Sequence, residues 1–466
     1  MDNQKKPRNL GIVRLLTKQP QYGINFYTQM SLFKKSIILA GDILMLYGSL
    51  IITLILRYGS NQFQQVFSAH INPFSVIFLV WIIVFYVSDL YENEFIRIKY
   101  PTVQKFLFAI FVNVFVSITL FYLFTSFFEL TPKTNLFLFA AIFGLLDLGW
   151  RFTASKVYIS GGLRNRIFVI GDSTTTNEIL SYLKNNPQLG YDIISHVKDF
   201  SEINNISQLC SNNHINTVII QPRIKKDFET AKTIYKLLAS KISVMDSTVF
   251  YEYLFQKLAF EELEESWFIE KIVPYRPVYE FIKRIIDAIL SILLIIILSP
   301  LMILIAILIK LASKGPVIYK QERIGLNNKL FTLYKFRSMV VNHSGPAFTT
   351  KNDNRITAVG KIIRYTHLDE IPQLLNILKG NISFIGPRAE ASKLVENYKQ
   401  LPYYDLRHII KPGLTGWAQV NYKPSASLEE AKEKLRYDIY YIKNRSFALD
   451  FFILLKTVRY LFISLK

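Results

Sequence analysis

The chain reads as a membrane protein with a four-helix transmembrane bundle, a small parallel α/β domain, and a re-entrant membrane helix leading into a cytoplasmic, mainly helical α+β domain. Three observations predict it. Four apolar stretches, roughly residues 36–56, 74–91, 106–128 and 136–158, each approach the ~20 residues that span a bilayer core. Strand-like and helical patterns then alternate over residues 161–270. An almost wholly aliphatic run, Ala288 to Ile309, precedes a charged, motif-rich remainder. Composition agrees: 51 % of the 466 residues are hydrophobic, with 36 Phe and 27 Tyr, more than an ordinary soluble enzyme carries.

Residues 1–35 form a basic tail in which Lys5, Lys6, Arg8, Arg14, Lys18, Lys34 and Lys35 stand against Asp2, whereas the linker after the first span offers only Arg57. That asymmetry puts the N-terminus in the cytoplasm. Four crossings over residues 36–160 return the chain to the same side, where Arg151, Lys156, Arg164 and Arg166 follow. The first apolar run is too long for a signal peptide and lacks a small-residue cleavage site, so it is expected to remain as a helix. Asp42, Asp89 and Asp147 lie in or at the edges of the spans, where an ionisable group is a functional candidate unless it is paired; Arg151 stands one turn beyond Asp147.

The net charge of +20 does not indicate nucleic acid, because the cations are scattered among membrane flanks and loops and form no recognition helix or stripe. Anionic lipid headgroups and a nucleotide diphosphate account for it better. One cysteine, Cys210, excludes a disulfide framework and a thiolate cage, so any metal would need oxygen ligands.

Within residues 161–270, Gly161-Gly162 leads to a strand, Arg166 to Ile170, then to Gly171-Asp172-Ser173 and a helix containing Ile179, Leu180 and Leu183. Thr217 to Ile220 and Ile242 to Met245 are further strands separated by an amphipathic helix. This is a Rossmann-like alternation and predicts a parallel sheet covered on both faces. Of the glycines that let a pyrophosphate approach the first turn only Gly171 is present, so a working dinucleotide site is not expected.

Residues 271–312 comprise a linker and a membrane helix. The aliphatic run is long enough to cross once more, but Ser299-Pro300 falls in its middle, and proline removes an intrahelical hydrogen bond. Both flanks are basic: Arg276, Lys283 and Arg284 before, Lys310, Lys314, Lys320 and Arg323 after. A re-entrant hairpin broken at Ser299 and Pro300 satisfies both facts, with a kinked fifth span as the alternative.

The remaining domain, residues 313–466, contains Thr366-His367-Leu368-Asp369-Glu370-Ile371-Pro372-Gln373, two adjacent carboxylates with Arg355, Lys361 and Arg364 before them and Arg388 after. Acids ahead of a proline that opens a helix are ordinary capping residues. Beside so many fixed cations, the pair also suits an anionic substrate such as a sugar nucleotide, bound by the cations and attacked by a carboxylate.

Around this stretch stand Gly315-Pro316-Val317-Ile318-Tyr319-Lys320-Gln321-Glu322-Arg323-Ile324-Gly325 and Phe331-Thr332-Leu333-Tyr334-Lys335-Phe336-Arg337-Ser338-Met339. Asn352-Asp353-Asn354-Arg355-Ile356-Thr357 precedes it, while Gly380-Asn381-Ile382-Ser383-Phe384-Ile385-Gly386-Pro387-Arg388 and Lys411-Pro412-Gly413-Leu414-Thr415-Gly416-Trp417-Ala418-Gln419-Val420 follow. This series, in this order, resembles the bacterial sugar transferase family of polyprenyl-phosphate hexose-1-phosphate transferases. The spans and the α/β domain resemble its long form, the undecaprenyl-phosphate glucose/galactose phosphotransferase type.

The resemblance implies transfer of hexose-1-phosphate from a UDP-hexose to undecaprenyl phosphate, the first membrane step of exopolysaccharide, O-antigen or capsule biosynthesis. It places a catalytic domain on the cytoplasmic face of the bacterial inner membrane, among membrane lipids, with Mg2+ as cofactor, and it allows a homodimer. Asp369 matches the nucleophile that would form a covalent phosphosugar intermediate, and Glu370 its partner; both are the implied metal ligands. Lys335, Arg337, Arg355, Arg364 and Arg388 are the candidate substrate-binding cations, Lys335 and Arg337 sharing one side of a strand by alternation. Two departures stand out: Ala389 where the family has Pro, and His367 where it has a small hydroxyl residue.

Ser427 with Glu430 predicts a capping box opening a helix whose apolar face carries Leu435, Ile439 and Ile442, with Asp438 beside them. Phe447 to Leu465 reads as an interfacial helix or one packed on the domain core. A second reading, a membrane-bound nucleotide-sugar dehydratase or epimerase, needs a glycine loop and a Tyr-x-x-x-Lys pair; Tyr253/Lys257 and Tyr279/Lys283 have the spacing without the loop. A non-enzymatic scaffold would not need the charged motifs.

Overall fold

The computed structural model describes residues 21–88, 90–91, 100–124, 133–160, 164–199, 206–226, 228–239, 242–340, 355–422 and 427–464. Asp2, the tail cations through Lys18, Asp89, Gly161-Gly162 and Asn352-Asp353-Asn354 lie outside the described residues. The chain divides into two compact units, Met1–Leu254 and Phe255–Lys466.

The first unit opens with α1 (Gln21–Tyr58), α2 (Phe63–Val87), α3 (Tyr100–Leu123) and α4 (Lys133–Ser160). Their apolar spans, Ser36–Tyr58, Phe63–Val87, Thr102–Leu123 and Asn135–Val157, are long enough to cross a bilayer. Between such helices lipid supplies little hydrophobic drive, so packing and interhelical polar contacts hold them. Phe74, Phe78, Trp81, Phe85, Phe139 and Phe143 form a buried aromatic ladder between α2 and α4. The Trp81 indole donates to Ser117 Oγ on α3 at 2.9 Å. Arg151 on α4 donates to Asp147 Oδ2 at 2.7 Å, to the Leu90 carbonyl at 3.0 Å, and to Asp42 on α1. The expected pairing of Asp147 with Arg151 is present, and Asp42 completes it as a buried triad.

Next come β1 (Asn165–Ile170), α5 (Thr174–Asn185), β2 (Tyr191–Val197), α6 (Ile206–Asn212), β3 (Thr217–Ile220), α7 (Phe228–Ala239), β4 (Ser243–Asp246) and α8 (Ser247–Phe255). All strands are parallel, in the order β2-β1-β3-β4. β2 was not anticipated: Asp192, Ser195 and His196 dilute its apolar pattern, as befits an edge strand half open to solvent. At the turn after β1, Gly171 has φ +136°, and a Cβ there would lie 2.8 Å from Gln221 Cβ. Gln221, following β3, thus packs against this turn on the side where a Cβ would project.

The second unit begins earlier than the sequence boundary at residue 270. Leu258, Phe260, Phe268 and Ile272, around α9 (Glu265–Lys271), join its core with Leu374, Ile377, Trp417, Leu435 and Ile439. The long helix α10 (Pro277–Ala312) follows. It corrects the expected break: the helix runs through Ser299 and Pro300 without ending. Pro300 cannot donate to the Ile296 carbonyl four residues back, and the Ser299 hydroxyl donates to that same carbonyl at 2.8 Å, so the vacated acceptor is satisfied locally.

α10 keeps two faces along its length. On one, Arg284 donates to the Ile377 and Leu378 carbonyls, both at 2.6 Å. Asp287 accepts from the Phe384 N–H at 3.3 Å, and Leu290, Leu294 and Leu298 pack on the core. Ile305 and Ile309 meet Phe336 and Ile363 on the same side. The other face, including Phe281, Ile285, Ile289, Ile292, Ile296, Ile303 and Ile307, is apolar and exposed.

Beyond α10, β5 (Ile318–Ile324) and β6 (Leu330–Phe336) form an antiparallel hairpin, then come α11 (Ala358–Tyr365) and α12 (Gln373–Lys379). β7 (Ser383–Ile385) pairs in parallel with β8 (Gly413–Thr415), separated by α13 (Ser392–Tyr398). α14 (Trp417–Asn421), α15 (Leu428–Asn444) and α16 (Phe447–Ser464) close the unit. The Ser427–Glu430 capping box is present on α15. α16 buries Ile453 and Asp450 while Phe451, Phe452 and Val458 stay exposed, so it packs on the core with one face and offers an apolar surface with the other.

Candidate active site

Asp369 and Glu370 sit in a tight 3-10 turn, Leu368–Glu370, between α11 and α12. His367 enters that turn with φ +56°, which reverses the chain after α11. Neither acid caps α12: its N-cap position is Pro372, without a side-chain hydrogen bond, so the capping explanation of the pair fails.

The two carboxylates have different surroundings. Glu370 Oε1 accepts from Lys335 Nζ at 2.6 Å and from Arg388 Nη2 at 2.9 Å. Burial alone would raise the Glu370 carboxyl, but Arg388 and Lys335 together hold it well below the usual carboxylate range. Asp369 is 9 % exposed, and burial raises its carboxyl above the usual value; Lys335 and Arg364 oppose that rise and Glu370 adds to it. One acid is therefore locked ionised while its neighbour is the more readily protonated and the more basic of the two.

Lys335 reaches the turn from β6, whose free edge is held by Asn376 of α12. Asn376 Nδ2 donates to the Thr332 carbonyl at 2.7 Å and its Oδ1 accepts from the Tyr334 N–H at 3.0 Å, so one amide acts as a third strand. Arg388 comes from the loop after β7, where Gly413 has to pass close: a Cβ on Gly413 would lie 2.1 Å from the Gly386 nitrogen.

Arg337 was expected beside Lys335 and is not. The strand ends at Phe336, and the buried Arg337 guanidinium donates to the Ser313 and Lys314 carbonyls at 2.8 and 3.1 Å, capping the end of α10. Arg364, on the last turn of α11, is close enough to Asp369 to oppose its protonation. Arg355 flanks the Met339–Ile356 bridge, its carbonyl accepting from the Val340 N–H at 2.9 Å. Sequence reasoning missed Asn376, Glu390, Arg407 and Lys434, all of which act through partners distant in the chain. Asp438 on the apolar face of α15 was the one available signal, since a buried acid requires a buried cation.

As a metal site the pair offers two hard carboxylate oxygens, and among the described residues no three His, Cys, Asp or Glu side chains converge as a cage. Such a donor set fits a hard divalent cation only if substrate oxygens and water complete its shell. The Tyr279/Lys283 pair is engaged in packing. Lys283 Nζ lies 3.3 Å from Tyr279 Oη, but both are bound to Asp450, at 2.6 and 2.7 Å, in a packed junction of α10, α15 and α16.

Residues 278–464 match the sequence profile described as bacterial sugar transferase. The UDP-glucose:undecaprenyl-phosphate glucose-1-phosphate transferase of Escherichia coli (strain K12) is 31 % identical over 355 residues, covering 70 % of this chain and 75 % of that protein. The chain belongs to the bacterial sugar transferase family. Within that family, the UDP-N-acetylgalactosamine-undecaprenyl-phosphate N-acetylgalactosaminephosphotransferase of Aeromonas hydrophila is 46 % identical over 186 residues, which span 39 % of this chain and 44 % of the relative. The exopolysaccharide production protein PSS of Rhizobium leguminosarum bv. phaseoli is 42 % identical over 186 residues, 38 % of this chain and 93 % of the relative. Asp369, Glu370, Lys335 and Arg388 all fall within the stretch that matches the sugar transferase profile.

Proposed function

We propose that this protein transfers hexose-1-phosphate from a UDP-hexose to undecaprenyl phosphate, with Asp369 as nucleophile, as the first membrane step of exopolysaccharide, O-antigen or capsule synthesis. The observation that carries the reading is the split pair: a buried, basic Asp369 beside a Glu370 pinned ionised by Lys335 and Arg388. The names of the sugar transferase relatives supply the substrate classes.

Asp369 attacks the phosphorus that bears the sugar. The bond to the bridging oxygen breaks, UMP leaves with that oxygen, and an aspartyl phosphosugar remains. An oxygen of undecaprenyl phosphate then attacks the same phosphorus, releasing the Asp369 carboxylate and the lipid-linked sugar diphosphate. Lys335 and Arg388 draw the diphosphate in and balance its charge, while Glu370 keeps their head groups converged on one point. Mg2+ bound by Asp369 and Glu370 with the diphosphate would supply further charge neutralisation.

The contacts of α10 support a non-spanning reading over a fifth span, with the helix unbroken rather than turned back at Pro300. Its inner face contacts the catalytic core from Lys283 to Ile309, leaving no turn that could sit across the bilayer away from the domain. Its outer apolar face then dips into the cytoplasmic leaflet of the bacterial inner membrane and brings the lipid phosphate to the depth of Asp369. The parallel α/β domain is read as Rossmann-like, and with Gly171 the one glycine of the phosphate-binding pattern at its first turn, no dinucleotide enters this reading.

The test is UMP release by the purified protein in lipid nanodiscs, with undecaprenyl phosphate and a panel of UDP-hexoses, with and without chelator. Sustained release that needs both substrates, a single burst of UMP from the UDP-hexose alone, and loss of both with chelator are expected. Release insensitive to Asp369→Ala would overturn the nucleophile assignment.

A further inference from the structure

We propose that Arg407 is a positioning residue for Arg388, setting where the Arg388 guanidinium stands against Glu370; this rests on the transferase reading above. Arg407 is 4 % exposed, so it cannot touch a substrate. Its Nη2 donates to the Arg388 backbone carbonyl and to Asp438 Oδ2, both at 2.9 Å, and its Nη1 donates to Tyr404 Oη at 2.9 Å. Glu390 Oε1 lies 3.6 Å from Nη1 and is also bound by Lys434. Two buried carboxylates, Glu390 and Asp438, thus balance the buried Arg407 and the partly buried Lys434 beneath the Arg388 loop.

The loop is held carbonyl by carbonyl. Pro387 accepts from the Gly413 N–H at 2.9 Å, Arg388 from Arg407, Ala389 from Arg323 Nη1 at 3.0 Å, and Glu390 from the Ile324 N–H at 3.2 Å. At Arg388 itself the donor is a guanidinium, whose planar fork is fixed by Asp438 and Tyr404 and so transmits direction as well as attraction. Stability alone explains this poorly, because well-packed apolar residues of similar volume usually stabilise a core as well as a buried ionic network does. What the network adds is a fixed origin for the Arg388 side chain, whose Nη2 must end 2.9 Å from Glu370 Oε1. Displacing a charge-bearing group by about an ångström can cost up to about 100-fold in rate.

The experiment is a double-mutant cycle on the full-length protein in nanodiscs, using Arg407→Lys, Arg388→Ala and their combination. It reads UMP release, counted per site competent for the initial UMP burst, alongside thermal unfolding. Lysine keeps the charge toward Asp438 and Glu390 but cannot bridge to the Arg388 carbonyl with a planar fork. Arg407→Lys should lower kcat per competent site about 10- to 100-fold, with KM for the UDP-hexose changed less than about threefold. In the Arg388→Ala background the same change should cost less than about threefold further. Equal losses in both backgrounds, or an unchanged kcat in Arg407→Lys, overturn the inference. If Arg407→Lys does not fold, Asp438→Asn releases the same fork and enters the same cycle with the same criteria. A wild type that releases no UMP from any UDP-hexose sinks the transferase reading and this inference with it. An active wild type with an additive cycle sinks this inference alone.

Discussion

The N-terminal helices and the sugar transferase unit each bury acids against cations, in different proportions. In the bundle Asp42 and Asp147 converge on the single guanidinium of Arg151, and all three are buried. In the catalytic unit Lys335 and Arg388 converge on the single carboxylate oxygen of Glu370, with the Arg388 side chain 36 % exposed and Asp369 alongside. The first arrangement spends its only cation on its own acids and faces apolar rings. The second sets three cations, Lys335, Arg364 and Arg388, against Asp369 and Glu370, with the Arg388 side chain partly open to solvent. The ratio of acid to cation, with the exposure of the cation, tells these two clusters apart more clearly than burial does.

The comparison can be broken most directly at Asp369. Asp369→Asn should reduce UMP release by about 10³-fold or more, as expected for loss of a nucleophile. Because burial raises the Asp369 carboxyl, its ionisation costs stability once pH exceeds the ordinary aspartate range, so the same variant should unfold at a higher temperature at neutral pH. A variant both inactive and less heat-stable would argue that the site was merely packed. Arg151→Met comes next, leaving two carboxylates buried without their cation; a loss of about 3–5 kcal/mol is expected, read as a lowered unfolding temperature in detergent.

A smaller effect concerns pH. Activity should fall on the acid side as Asp369 protonates, with the limb above the ordinary aspartate range. Lys335→Met should move that limb further up, since the Lys335 charge opposes protonation. Glu370 behaves oppositely: its depressed carboxyl contributes stability at all pH above the ordinary glutamate range, lost only in stronger acid, so it should not generate the limb. The smallest effect on catalysis is expected at Arg337. Arg337→Met should cost about 1–3 kcal/mol of stability through the unsatisfied carbonyls of Ser313 and Lys314. Its kcat should nevertheless stay near wild type, and a large fall in kcat at unchanged stability would return Arg337 to the substrate.

Much of the architecture was legible because it is written locally. Four apolar runs, the capping box at Ser427 and Glu430, and the strands at Arg166 and Thr217 depend on neighbours within a few residues. The pair Asp369-Glu370 and its partner Arg388 were legible as motifs. Arg337 was misplaced because alternation was carried one residue past the strand's end, where the backbone turns and the guanidinium swings to α10. The break at Pro300 was expected from a missing N–H, and the Ser299 hydroxyl compensates for it. Asn376 and Arg407 were invisible, since one amide on β6 and one guanidinium under a loop are decided by tertiary placement alone.

The inner face of α10 also bears on how the protein is made. Arg284 waits for carbonyls 93 and 94 residues downstream, Asp287 for an N–H 97 residues downstream, and Lys283 for Asp450, 167 residues downstream. At about 5–20 residues per second of synthesis, those partners arrive several seconds to about half a minute after the helix. Throughout that interval the nascent helix has a lipid-soluble side and an ionic side with nothing to bind. Three charged groups at its leading end thus stay without their native partners until the rest of the domain is translated, so the inner face of the helix can be completed only late in synthesis.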